Sequence, residues 1–345
     1  MSENFVYDAL KVLSDHIYNG VSSQYQHSIL SEYFNTYRVS LYPIMRLGIA
    51  VTDPHDWTSS ALLKTAVYRG FDAYVIDLRD TEVVIRDEVI ITNKGLILPT
   101  LDALVVRDVG AGSMDGVSFR FDVLRQLEMQ GTLILNSPEA IRNAANKYHT
   151  TYLLSKAGLP VPATFSVQDR SKAIEIISDL RDAVVKPVFG YKGKGIIRVK
   201  DGKMIEPNGS FSQISWEDQI TQMIDSWGML YIQEFIENQG RDIRAFVVNG
   251  KVLGSIYRSA QQGHWINNLS QGGTSSLCVL TPSQKEICAK AAEAVGTVFA
   301  GVDLIEGPQG TMVLEVNGTP SGAGIYKSCG INVAGYILDY IPSKF

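Results

Sequence analysis

The 345-residue chain has little cysteine, little histidine and no excess of positive charge, and each shortage removes a class of function. Its three cysteines, Cys278, Cys288 and Cys329, are odd in number and form no C-x-x-C pair or metal-ligand spacing. That argues against a disulfide scaffold and makes a reducing cytoplasm the expected location. The five histidines (His16, His27, His55, His149, His264) form no ligand cluster, and no G-x-S-x-G elbow occurs, so zinc chemistry and a serine hydrolase drop out. Lys and Arg number 31 against 36 Asp and Glu, a net charge of −5 without the basic excess that nucleic-acid binding demands. No apolar run approaches the roughly 18 residues of a membrane span, and the amino terminus lacks the basic start and apolar core of a targeting segment. What remains is 45% hydrophobic and 19% charged, the composition of a folded chain with room for two or three domains.

Residues 1–45 carry apolar positions at helix-like spacing (Phe5, Leu10, Leu13, Ile17), which predicts a helical amino-terminal extension. From Arg46, strand-like runs at 47–51, 73–76, 103–106 and 132–135 alternate with helical runs at 57–69 and 119–130, and a hairpin fits 82–99. This predicts an α/β domain over 46–136. Ser137 with Pro138 after it can open a helix, and a second helix from Lys147 ends at Gly158. Runs at 163–167, 172–180, 183–187 and 195–199 read strand, helix, strand, strand, a small α+β unit over 137–210. The remainder, 211–345, alternates helices with antiparallel hairpins, one of them turning at Asn249-Gly250.

Within that last segment, Gly301 to Ser321 places two carboxylates and an amide in otherwise apolar strands. A three-residue loop of Pro308, Gln309 and Gly310 would set Asp303 opposite Glu315, with Asn317 on the same face because strand side chains alternate. Like charges so placed repel. A hard divalent cation, magnesium shared with substrate phosphates, would turn the repulsion into a binding site.

Cations and donors lie upstream. Lys186 closes the apolar run Ala-Val-Val ahead of Pro187, so its ammonium is expected at a strand end. The loop after it, with Gly190, Gly193 and Gly195, lets backbone N–H groups approach an anion; its spacing fits neither a P-loop nor a dinucleotide fingerprint. Lys147, near a helix start, could also reach a phosphate. Gln233, Glu234, Phe235 and Ile236 end a strand whose extended backbone could bond a purine edge. Arg244 and Arg258 suit phosphoryl or carboxylate oxygens. A strict two-residue turn at Asn249-Gly250 would put these two arginines on opposite faces, so either one serves structure or a bulge re-aims it. The segment 263–273, glycine-rich with Trp265, is a candidate closing loop or an ordinary connection.

Taken in order, Lys147, Lys186 with its glycine loop, Gln233 to Ile236, Asp242-Ile243-Arg244, Asn268 with Gly272-Gly273, and Asp303, Glu315 and Asn317 resemble the ATP-grasp superfamily, specifically its RimK-like ligases, over about residues 100–340. The resemblance implies an ATP-grasp fold, α/β and α+β, with a pre-ATP-grasp α/β domain. It implies ATP-dependent joining of a carboxylate to an amine through an acyl phosphate. Lys147 and Lys186 would bind ATP phosphates, the loop with Gly190, Gly193 and Gly195 would cover them, and Gln233, Glu234, Phe235 and Ile236 would hold adenine. Asp303, Glu315 and Asn317 would bind two Mg2+ ions, with Mn2+ as a substitute; Arg258, Asn268 and Arg244 would stabilise the acyl phosphate and its tetrahedral successor.

A narrower resemblance rests on Phe119 to Leu124, Lys186 to Gly190, Tyr231 to Ile236, Arg241 to Val248 and Trp265 to Gly273. It implies a pterin carboxylate and L-glutamate as substrates. A homo-oligomer is expected in the cytoplasm, and charge and hydropathy leave neither nucleic acid nor membrane as partner. Glutamate addition to a deazaflavin coenzyme or a protein carboxyl terminus, phosphoryl transfer to a hydroxyl, and nucleotide binding without turnover stay open as alternatives.

Overall fold

The computed structural model describes residues 44–190, 195–267 and 272–344. The extension expected over 1–45, except for its last two residues, lies outside the described residues, as do Gly193 and Asn268.

The first domain is built on parallel strands β1 (Arg46–Ala50), β2 (Asp72–Ile76), β6 (Ala103–Val106) and β7 (Leu133–Leu135) in the order β2-β1-β6-β7. Helices α1 (Trp57–Tyr68) and α2 (Met114–Met129) connect them. α2 starts five residues before the expected 119 because Ser113 accepts from Gly116 N and caps it there. The hairpin expected at 82–99 is a three-stranded sheet of β3 (Thr81–Ile85), β4 (Val89–Asn93) and β5 (Leu96–Ile97).

Ser137 caps α3 (Pro138–Ala145), and Asn146 then caps α4 (Lys147–Lys156), which begins on the expected lysine. The next sheet runs β11-β10-β9-β12-β8 from β8 (Thr164–Val167), β9 (Asp182–Lys186), β10 (Ile197–Lys200), β11 (Lys203–Ile205) and β12 (Leu230–Glu234), antiparallel at each pairing. Helices α5 (Arg170–Leu180) and α6 (Trp216–Trp227) cover one face: Ala173, Ile177, Trp216 and Ile220 pack on Val185, Val199, Leu230 and Ile232. Two of these elements, α6 and β12, lie beyond residue 210 in the chain. The apolar face of α6 can be buried only against this sheet. By alternation the other face presents Asp182, Val184, Lys186, Arg198, Tyr231 and Gln233.

The last sheet is β15-β14-β13-β16-β17, from β13 (Arg241–Val248), β14 (Lys251–Ser259), β15 (Thr274–Leu277), β16 (Phe299–Gly307) and β17 (Gly310–Asn317). Helix α7 (Pro282–Val295) buries Cys288, Ala291 and Val295 against Ile243, Ala245, Val302 and Leu304 on one face. Helices α8 (Ala323–Cys329) and α9 (Val333–Tyr340) close a second core with Phe246, Phe299 and α1, which joins this sheet to the first domain.

Asn136 pins the same junction. Fully buried, its amide nitrogen donates to Phe299 O (2.8 Å) and Gly318 O (2.6 Å), and its oxygen accepts from Val298 N (2.7 Å) and Phe299 N (3.1 Å). Arg107, at the end of β6, donates to Pro320 O at 2.8 Å. The chain on either side of β16 and β17 is thereby fixed from the first domain.

Candidate active site

Two β-bulges set the chemistry. The turn between β16 and β17 is a two-residue one, with Gly307 opposite Gly310, and not the expected loop of three. One extra residue in β17, Leu314, then shifts the register between Leu304↔Val313 and Asp303↔Glu315, so the expected facing pair forms by another route. Gly301 pairs with Asn317, which therefore shares the face. A second shift, between Phe246 and Val247, turns the register of β13 and β14 so that Asp242 lies opposite Arg258 and Arg244 opposite Ile256. Of the two alternatives left open for these arginines, the bulge is the one realised: both side chains are on one face.

They converge on Asp303. Its Oδ1 accepts from Arg244 Nε, and its Oδ2 accepts from Arg244 Nη2 at 2.9 Å and Arg258 Nη2 at 2.8 Å. Arg258 also forks onto Asp242, Nε to Oδ1 at 2.6 Å and Nη2 to Oδ2 at 2.8 Å. Asp303 is 5% exposed and Asp242 8%, so these charges interact with little screening. Burial works against ionised Asp303, but Arg244 and Arg258 outweigh it and hold its carboxyl below the ordinary value. For Asp242 burial is the larger influence and pushes it up to about 6, with Arg258 pulling the other way.

The lysines complete the cluster. Lys147 Nζ lies 3.6 Å from Glu315 Oε1 and donates to Gly190 O at 3.0 Å. Lys186 Nζ donates to Gln233 Oε1 at 2.8 Å. Burial lowers Lys186 to about 8, with Glu315 opposing and Lys147 assisting. Four cationic side chains, Lys147, Lys186, Arg244 and Arg258, thus meet three carboxylates, Asp242, Asp303 and Glu315. The counter-charge expected from a metal is supplied in part by the protein, and the remaining positive balance suits a polyanion.

A cavity of about 350 Å3 lies between the two sheets, lined by Asp182, Arg198, Lys200, residues 234–237 and, from the hairpin, Pro308, Gln309 and Met312. Phe235 is one of the lining residues, with the Arg198 guanidinium 3.4 Å above its ring centre and Trp265 edge-on at 6.4 Å. Ile236 rests on the hairpin: a methyl group added to Gly307 would overlap Ile236 Cγ2.

Of the expected adenine residues, Glu234, Phe235 and Ile236 line this cavity, whereas the Gln233 side chain is committed to Lys186. Gly190 and Gly195 flank the glycine loop; Gly195 needs its left-handed φ of +72°. The Arg258–Asp242 fork and the Asp182–Arg198 pair (2.8 and 2.7 Å) carry no role in the sequence reading. Asp182 lies four residues before Lys186 on one strand, hence on its face, and that spacing was the available signal.

A model of the RimK-like ATP-grasp domain matches residues 144–341, and a model of the RimK PreATP-grasp domain matches residues 45–141. The chain is 52% identical to a tetrahydromethanopterin:alpha-L-glutamate ligase of Methanosarcina acetivorans, covering 86% of this chain and 99% of that protein. It is 33% identical to the protein of that name in Methanococcus maripaludis, over 86% of this chain and 97% of the relative. Among solved structures, the ATP-grasp ligase PsnB complexed with minimal precursor, Mg and ADP superposes with a TM-score of 0.61 at 20% identity, covering 86% of this chain and 97% of that one. The macrocyclase MdnC bound with precursor peptide MdnA, from Microcystis aeruginosa, does so with 0.64 at 14%, over 87% and 100%. The likeness to solved structures shows the fold, and the sequence matches go further: the chain belongs to the RimK-like ATP-grasp family.

Proposed function

We propose that the chain is an ATP-dependent ligase that adds L-glutamate to tetrahydromethanopterin through an α-linked amide, releasing ADP and phosphate. The observation that carries this is the convergence of Lys147, Lys186, Arg244 and Arg258 on Asp303 and Glu315, on the same two sheets whose Glu234 to Ile236 and Met312 line a cavity. The 52% identity to a ligase of that name supports the substrate assignment.

The residues fit a magnesium ion shared with phosphates. Among the described residues no three acidic, histidine or cysteine side chains form a closed cage. Asp303, with three donors on its two oxygens, keeps one of about four lone-pair directions, and Glu315 and the Asn317 amide lie on the same face. Two carboxylates at most, with phosphate oxygens filling the other positions, is how magnesium is commonly held. Bound there, it would supply charge neutralisation across the phosphates.

The chain's own groups do the rest. Glu234 to Ile236 and Met312 hold the base, while Lys147 and Lys186 neutralise the phosphates. An acceptor carboxylate oxygen attacks the γ-phosphorus, ADP leaves, and an acyl phosphate forms; the glutamate amine then attacks the acyl carbon, loses a proton and expels phosphate. Negative charge grows on oxygen in both steps, and Arg258, whose Nε and Nη2 are held by Asp242, brings its guanidinium charge to it. The test is an ADP-release assay with tetrahydromethanopterin and L-glutamate, followed by product mass. Gain of one glutamate residue is the expected result, and turnover only with a different acceptor would overturn the substrate assignment.

A further inference from the structure

Gln233 stands in a strand where an apolar residue would pack more easily, yet it is 2% exposed. Its hydrogen bonds run in one direction. Gln233 Oε1 accepts from Lys186 Nζ at 2.8 Å, and Gln233 Nε2 donates to Tyr231 OH at 2.9 Å and Thr164 Oγ1 at 3.2 Å. Tyr231, 1% exposed, is in turn bonded to Thr151 Oγ1 at 2.8 Å. Thr151 sits on α4 four residues after Lys147, on the same helix face. An ammonium only donates, so the amide has one orientation here, oxygen toward lysine.

We infer that Gln233 is a positioning residue: with Tyr231 and Thr151 it forms a buried hydrogen-bonded chain that ties Lys186 to the helix carrying Lys147 and holds the Lys186 ammonium, charge uncancelled, toward the phosphate side of the cleft. The inference rests on the reading of that cleft as a nucleotide site. Its chemical content is the choice of a neutral acceptor. A glutamate at 233 would satisfy the same hydrogen bond but form an ion pair, consuming the charge that a phosphate needs. A leucine would leave the ammonium without its partner in a desolvated place and favour the neutral amine.

The groups that face Lys186 are Glu315 and Asp303 from the last sheet, Lys147 from α4 and the ring of Tyr231, 6.0 Å from its nitrogen. The experiment measures the dissociation constant of ADP with magnesium, without acceptor, from pH 7.5 to 10, a range above the titration of the terminal phosphate. Wild type should hold its affinity to about pH 8 and then weaken by about tenfold per unit. Gln233→Glu should bind about tenfold more weakly at pH 7.5 and begin to weaken at least one unit later; Gln233→Leu should begin earlier. Tyr231→Phe, which keeps the ring's packing, should shift the onset in the same direction as Gln233→Leu. If the onset is the same in every variant while melting temperatures differ, the chain is only structural and the inference falls. If wild type binds no ADP at any pH, the nucleotide reading falls and takes the inference with it.

Discussion

Asp303 and Glu315 face each other across neighbouring strands because Leu314 is one residue more than a regular ladder would hold. The pair is therefore a property of the backbone as much as of the two carboxylates. It is also unlike an open acidic site, since Asp303 is already closed upon by two guanidiniums and Glu315 is near Lys147.

Asp303→Asn should abolish turnover and also weaken the fold. The substitution keeps the shape but leaves Arg244 with no carboxylate partner and Arg258 with Asp242 alone, and breaking a buried ion pair of this kind costs about 3 kcal/mol. Denaturant unfolding beside the ADP-release assay checks both effects. A variant as stable as wild type would mean that Asp303 does not serve as the shared counter-ion.

Arg258→Lys keeps the charge and loses the fork. One ammonium cannot bond both oxygens of Asp242 and also Asp303 with the geometry seen. A fall of about a hundredfold in kcat, with little change in KM for ATP, is expected of a donor aimed at developing charge. Steady-state kinetics decide it, and an unchanged kcat would remove Arg258 from the chemistry.

Asn136→Ala should be among the costliest single changes outside the cleft. It strands two backbone N–H groups and two carbonyls that the Asn136 amide satisfies at full burial. A loss of at least about 3 kcal/mol follows from leaving such groups unpaired. Because Gly318 follows Asn317, activity measured well below the melting point should fall too; full activity in the folded fraction would show that the junction does not position the site.

The apo protein should become more stable on raising the pH through the range in which its affinity for nucleotide declines. Lys186 has a folded pKa of about 8 against 10.5 ordinarily, so between those values the unfolded chain holds more protons and stability rises with pH. The gain amounts to at most about 3 kcal/mol and is complete near the unfolded pKa. Between pH 7.5 and 10 the stability difference between wild type and Lys186→Met should move in favour of wild type. A difference independent of pH would show that the buried ammonium carries no such cost.

Much of this site was legible one residue at a time. Lys147 and Lys186 were placed by a helix start and a strand end; the proline after Lys186 was the local signal in the second case, and the cap that fixes the first, Asn146, is seen in the structure. The facing of Asp303 and Glu315 was also foreseen, but from a loop of the wrong length. A bulge leaves no mark on the period-two pattern until strand partners are known, so Leu314 and the shift after Phe246 could not be read from the letters. The membership of the sheet β11-β10-β9-β12-β8 was hidden for a related reason. The connection between β11 and β12 contains a whole helix, and only the sheet order reveals that β12 returns to the middle, between β9 and β8. The commitment of Gln233 to Lys186 is a cross-strand relationship of the same kind, since Lys186 pairs with Tyr231 and Gln233 sits one step along on that face.

Gly307 has a consequence that concerns spacing alone. Since Ile236 lies where its side chain would be, the segment that follows β12 rests on bare backbone of the hairpin opposite. The gap between the two sheets is thus gauged by a missing methyl group. A side chain at 307 must first displace Ile236, so a substitution there would disturb the wall of the slot that holds Phe235 and Met312 at a position remote from every charged side chain of the cluster.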